Sequence, residues 1–361
     1  MDNKILFITT SFGGGGAEKV VSLVSSYIYS LGHDVEVLLY YKDEEEYEHN
    51  LNMRIHYLVQ TKKEYKSLSL FKKIHLLRTF LLSINPQFVI PFLPQVGFHT
   101  MMASKRLNFK LIQTIRNNPS VDPENFLLRL IRNYAVKKSR KTFVQCEEQK
   151  RYFSKKIQNK ILVIPNPVSE KFISAVRKSK TKILNAISLG RLAEQKNFEM
   201  LIEASKSVVD YNPLFKLYIY GEGNLHDRLK ECIEKFGLSN NVFLCGRTED
   251  TLNALLKSDL FILSSNYEGL PNSLLEAMAV GLPCISTNCP TGPSSVIKNN
   301  FNGWLTPVND KKEMASSIIK VMNKNELELE NISVNAKEEI KKNYSFATVI
   351  HLYLHDLLEI I

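Results

Sequence analysis

Residues 4–10 form a short apolar run that breaks into four consecutive glycines, Gly13 to Gly16. The chain resumes at once as a helical pattern with Val20, Val21, Val24, Tyr27 and Ile28 on one face. Gly32 stops that helix, and residues 34–41 are a second apolar run. A strand, a glycine turn, a helix of period 3.6 and another strand admit few packings. The helix lays its stripe on a sheet, and the second strand returns parallel to the first. The alternation continues with strands at residues 55–59, Phe88–Pro91, 110–115, 142–145 and 161–164, and helices between them, notably at 68–83 and 125–138. Pro165-Asn166-Pro167 closes this series and a second begins. Its strands are Asn185–Leu189, 215–220, 242–245, Leu260–Leu263 and Cys284–Thr287; its helices are 197–209, 225–236, 248–257, 272–280 and 311–323, and a last helix spans 346–361. A length of 361 residues exceeds what one core usually serves. The expected class is α/β, with two Rossmann-like, doubly wound parallel-sheet domains at 1–168 and 169–344.

Composition narrows the partners. A chain that is 44% hydrophobic and 23% charged is not disordered. Its most apolar stretch, residues 80–98, is interrupted by Pro86, Pro91 and Pro94, so no membrane span is expected. Met1-Asp2-Asn3-Lys4 leads straight into a strand pattern, without the apolar segment of a secretory leader. Five cysteines with no C-x-x-C spacing read as reduced, mostly buried thiols of a cytoplasmic protein. All of the net charge of +10 falls in the first 170 residues, and residues 62–160 carry 21 basic against 5 acidic side chains. That excess suits an anionic partner: nucleic acid, an anionic lipid surface, or a phosphorylated substrate. It equally suits a solvated lysine-rich surface. No helix-turn-helix, RNP or zinc signature supports nucleic acid. The helix at 68–83 sets Lys72, Lys73 and Arg78 among Phe71, Ile74, Leu76, Leu77, Phe80 and Leu81. It fits either an anionic membrane surface or a core-facing helix with a basic outer side.

Two stretches in the second series carry chemistry. Glu268-Gly-Leu-Pro-Asn-Ser-Leu-Leu-Glu276 follows a buried strand and runs into a helix. It places one carboxylate at the strand's carboxyl end and another about one turn into the helix, with Asn272 or Ser273 as the expected cap. Helix-start N–H groups attract anions, so a nucleotide sugar fits: hydroxyls for the acids, phosphate for the N–H groups. A capped amphipathic helix with solvated glutamates gives the same spacing. Arg191 and Lys196 lie between a strand and a helix and could hold a diphosphate, or be surface cations. There is no D-x-D and no His/Cys cluster, so no metal or other cofactor is expected. The Gly13–Gly16 loop lacks the G-K-[ST] of a P-loop and fits phosphate approach or a plain turn.

In combination, Gly13 to Glu18, Gly190-Arg191-Leu192 with Lys196-Asn197, Gly221-Glu222-Gly223 and Glu268 to Met278 resemble the retaining glycosyltransferases of family 4. The resemblance implies the GT-B fold, two Rossmann-like domains facing across a cleft, with the last helix (345–361) crossing back to the first. It implies Arg191 and Lys196 on the donor diphosphate, Glu268 on the transferred sugar, and Glu276 on the ribose. Gly269, Leu270, Pro271, Asn272 and Ser273 would line the sugar–phosphate site, with Gly190 and Gly221 also on the donor. Gly246 and Arg247 would lie near the base, and Gly14 and Gly15 near the phosphates or the acceptor. Arg116-Asn117-Asn118-Pro119 and Cys289-Pro-Thr-Gly-Pro293 are similar to bacterial members that extend lipid-linked oligosaccharides, which makes Arg116 and Asn117 acceptor-side candidates. The implied reaction moves a hexose or N-acetylhexosamine from a nucleotide sugar, a UDP-sugar by expectation, to a glycan or lipid-linked glycan, in the cytoplasm or on the inner face of the plasma membrane. A hydrolase, epimerase or phosphorylase of the same fold is the alternative. His99 is the nearest histidine to the place where many members carry one, and it reads better as a packing residue.

Overall fold

The computed structural model describes residues 4–13, 15–43, 52–177 and 182–358. The chain divides into two compact units, one of residues 1–166 with 350–361 and one of residues 167–349.

The first unit is built on seven strands: β1 (Ile5–Thr9), β2 (Val35–Leu39), β3 (Arg54–Tyr57), β4 (Phe88–Pro91), β5 (Lys110–Thr114), β6 (Lys141–Val144) and β7 (Ile161–Val163). They are all parallel, in the order β3-β2-β1-β4-β5-β6-β7. β1 lies between β2 and β4, with Ile5 opposite both Val35 and Phe88, and every residue of it is buried. This is why its sequence is continuously apolar rather than alternating. Leu77 and Leu81 of the helix Leu70–Ile84 pack with Leu6, Ile8 and Val89, while Leu70, Phe71 and Leu82 of the same helix stay exposed. Tyr353, on the last helix (Phe346–Leu358), meets Phe143 edge-on at 5.5 Å and is fully buried.

The second unit has six parallel strands: β8 (Asn185–Leu189), β9 (Lys216–Tyr220), β10 (Val242–Leu244), β11 (Leu260–Leu263), β12 (Cys284–Thr287) and β13 (Trp304–Thr306), in the order β10-β9-β8-β11-β12-β13. Leu201, Ile202 and Val208 of helix Phe198–Tyr211 share one core cluster with Ile318 and Val321 of helix Lys311–Met322. A second cluster joins Leu274, Leu275 and Met278 of helix Asn272–Ala279 to Ala336 and Ile340 of helix Glu326–Asn343.

Beyond several short helices, two longer ones were not named from the sequence. Pro94 reads as a breaker, yet it stands in the first turn of helix Pro94–Ala103, where its missing N–H costs nothing. The charged helix Glu326–Asn343 opens on a capping box of Asn325 and Glu328 and buries only Leu329, Ile332, Ala336 and Ile340. Cys146, Cys284 and Cys289 are buried, Cys232 and Cys245 are half-buried, and all five are free thiols.

Candidate active site

In the second unit the chain walks from β8 outward to β9 and β10, then crosses back to lay β11 on the other side of β8. The loops after β8 and β11 therefore part in opposite directions, and the crevice between them is where open α/β sheets bind ligands. Residues 190–197 form the first loop and residues 264–271 the second. The two motifs meet for a topological reason, 72 positions apart.

Lys196 Nζ donates to Glu268 Oε1 at 2.6 Å. The same oxygen accepts from Ser265 Oγ at 2.6 Å, and Gln195 Nε2 reaches Oε2 at 3.4 Å. Glu268 is 6% exposed, so these donors stand where water would otherwise solvate the carboxylate. The loop beneath is tied down as well. Thr291 Oγ1 donates to the Glu268 carbonyl, Thr287 Oγ1 to the Ser265 carbonyl at 2.6 Å, and Ser264 Oγ to the Lys196 carbonyl at 2.7 Å. Burial, with the negative Glu268 beside it, pushes the Cys289 thiol up to about 12 and keeps it protonated next to the pair.

The glycines explain how the loops come so close. A Cβ on Gly190 would lie 2.7 Å from Lys196 Cε, and one on Gly221, whose φ is +150°, would lie 1.8 Å from the Gly190 carbonyl oxygen. The Gly221 N–H donates to the Gly246 carbonyl at 2.8 Å. Glycines 190, 221 and 246 thus stand side by side at the ends of three adjacent strands. Arg191 and Arg247 are exposed beside them.

Helix Asn272–Ala279 departs from expectation at its start. Its cap is Pro271, which offers no side-chain acceptor, while Asn272 and Ser273 are its first two residues rather than its cap. Proline suits this position because its φ of −74° is already set for the turn. Leu270 is buried in the core cluster and anchors the loop, and the Gly269 carbonyl fits against Gly292, where a Cβ would come within 2.1 Å. Glu276 sits in the second turn and is 7% exposed.

The remaining candidates belong to the first unit. Gly14 lies outside the described residues. The Gly15 N–H donates to Glu18 Oε2 at 2.7 Å, and Glu18 also accepts from Thr10 Oγ1 at 3.2 Å, so this loop is closed by its own helix's carboxylate. Arg116 donates to Asn166 Oδ1 and stacks over Phe92 at 4.9 Å, while its Nε and Nη1 are buried without an acceptor. Burial lowers its pKa, against the opposing effect of Tyr353. Asn117 is spent locally, its Oδ1 accepting from the Asn118 N–H at 2.8 Å. His99 is 2% exposed and stacks on Tyr40 at 5.8 Å; burial and nearby Lys73 lower its pKa to about 4.

Sequence reasoning passed over Gln195, Ser265 and Thr287, and gave Thr291 no role although it lies within the Cys289–Pro293 segment already singled out. Gln195 and Ser265 adjoin named motif residues and could have been found there. Thr287 reaches the site only through the fold.

Residues 169–339 match the family described as Glycosyl transferases group 1, and residues 14–172 match Glycosyltransferase Family 4. The chain is 35% identical over 199 residues to the UDP-Gal:alpha-D-GlcNAc-diphosphoundecaprenol alpha-1,3-galactosyltransferase of Escherichia coli, covering 52% of this chain and 51% of that one. It is 33% identical over 174 residues to the poly(ribitol-phosphate) alpha-N-acetylglucosaminyltransferase of Staphylococcus aureus, covering 48% and 35%. The chain thus spans about half the length, or less, of these curated relatives. Among solved structures, Anabaena HepE in complex with UDP and glucose superposes with a TM-score of 0.82 at 18% identity, covering 98% of each chain. Two adjoining family matches and the paired parallel sheets lead to one conclusion: the chain belongs to the family 4 glycosyltransferases and has their GT-B fold.

Proposed function

We propose that this protein transfers a hexose or N-acetylhexosamine, with retention at the anomeric carbon, from a UDP-sugar to a hydroxyl of a glycan or lipid-linked glycan during cell-surface polysaccharide synthesis. The observation that carries the reading is the Lys196–Glu268 pair, held at 2.6 Å in the switch-point crevice beside the glycine-ended strands, where a Cβ on Gly221 would overlap the Gly190 carbonyl. A diphosphate entering there meets Lys196 and Arg191, and the sugar beyond it meets Glu268. UDP is favoured because it is the nucleotide bound to HepE and the one in the E. coli relative's name. Both curated relatives act on polymeric or lipid-linked acceptors by name, which supports that acceptor class.

In the proposed step the bond from the anomeric carbon to the phosphate oxygen breaks and its electron pair leaves with UDP. The acceptor oxygen bonds to the same face of the sugar, and its proton passes to the departing phosphate. Arg191 and Lys196 oppose the charge that develops on the diphosphate, with no resident metal assigned to that task. Lys196→Ala removes one such donor, and we expect kcat to fall roughly 10²–10³-fold while the far-UV spectrum is unchanged. Near-full turnover of that variant would exclude the assigned phosphate site. Product analysis with and without acceptor separates transfer from hydrolysis, and the anomeric coupling of the product reads retention directly.

A further inference from the structure

The helix Phe126–Lys138 is inside out for a helix facing water. Its buried face carries Arg132 with Ala135 and Val136, and Arg132 serves as a bracket, donating to the Asp122 and Pro119 carbonyls. Its outer face carries Phe126, Leu127, Leu130 and Tyr134, which are 62, 65, 48 and 53% exposed. Leu128 is also exposed at the first turn. Solvated helices ordinarily show the opposite pattern. Side chains of this size, grouped on one face, mark a surface meant to be covered.

The charge around it identifies the cover. Arg129 lies 5.8 Å from the Phe126 ring and Lys138 lies 5.6 Å from the Tyr134 ring. Lys137, Lys138 and Arg140 are exposed where the helix ends. Just beyond, a concavity of about 420 Å³ is lined by Lys110, Lys138, Arg140 and Lys160 together with Leu107 and Phe109. The surrounding segment, residues 62–160, has the net excess of 21 basic over 5 acidic side chains. A second copy of this chain placed on the face would bring two such excesses together and be repelled. An anionic bilayer takes the apolar side chains into its acyl boundary and meets the cations with its headgroups.

We propose that the outer face of helix Phe126–Lys138 is a membrane-docking surface that inserts Phe126, Leu127 and Leu130 into an anionic lipid bilayer, with the basic concavity seating lipid phosphates. Helix Leu70–Ile84 instead packs Leu77 and Leu81 into the core with Ile74, Leu76 and Phe80 against them, and leaves Leu70, Phe71 and Leu82 exposed.

Flotation of the full-length protein with vesicles tests the proposal. It needs neither donor nor acceptor, so its outcome is independent of the transfer reaction. Wild type should float with phosphatidylglycerol–phosphatidylcholine vesicles at low salt, less so at high salt, and not with phosphatidylcholine alone. Combined Phe126→Ser, Leu127→Ser and Leu130→Ser should weaken binding about tenfold or more, and Lys137→Glu with Lys138→Glu should do likewise. If the triple variant proves unstable, Phe126→Trp gives a second reading: its emission should shift to the blue on adding phosphatidylglycerol vesicles. Wild type failing to float with those vesicles would overturn the proposal, as would a folded triple variant that floats equally well. A wild-type dimer that the triple variant converts to monomer would also overturn it, assigning the face to a second copy.

Discussion

Gly221 and Gly246 end neighbouring strands, and both have positive φ, but a side chain would meet different surroundings at each. A Cβ at Gly221 would overlap the Gly190 carbonyl, a backbone atom that cannot swing aside, whereas Gly246 has open space. We therefore expect Gly221→Ala to cost roughly 3 kcal/mol or more of stability from strain plus overlap, and Gly246→Ala only about 1–2 kcal/mol from its left-handed backbone. Urea midpoints of the two variants check the order. His99 sets a pH dependence of its own. Its folded pKa, about 4, lies below the usual histidine value, so between those limits the unfolded chain binds the proton more readily. The neutral, buried ring thus contributes stability above pH 6.5 that is lost progressively as pH falls toward 4. The loss at pH 4.5 is on the order of 2–3 kcal/mol. Chemical denaturation at pH 7 and 4.5 should show a smaller acid penalty for His99→Gln than for wild type.

Among the elements, helix Glu326–Asn343 depends most on its ends. It buries few side chains along 18 residues, and its capping box satisfies N–H groups that would otherwise be left open. Asn325→Ala should cost about 1 kcal/mol, read as a lowered melting temperature with the far-UV spectrum retained. The hydrophobic spacing Leu329, Ile332, Ala336, Ile340 and the Asn325–Glu328 signature were both present in the sequence; the high charge density between them masked a helix that a cap-first reading finds. Helix Pro94–Ala103 was hidden by the proline that begins it. Strand cores were plain, because buried parallel strands are continuously apolar, while their ends shifted by a residue or two where ladder bonds give way to loops.

For the molecule as a whole, donor binding to the folded state is the test that joins fold to function. UDP at about a hundred times its Kd should stabilise the protein by roughly 2.7 kcal/mol, seen as a raised melting temperature. Arg191→Ala with Lys196→Ala should remove most of that rise, and EDTA should leave both the rise and the turnover unchanged. The two series of alternating strands and helices, the break near Pro165–Pro167, and the Arg191, Lys196, Glu268 and Glu276 motifs were all determined by sequence alone, because periodicity and turn chemistry act over a few residues. The tertiary structure alone decided that Lys196 and Glu268 are partners, that Thr287 and Thr291 brace their loop, that Pro271 caps the helix, and that Phe126–Lys138 turns its apolar face outward. The reason is physical: strand order and the direction a helix faces depend on contacts between residues far apart in the chain, which local pattern does not encode.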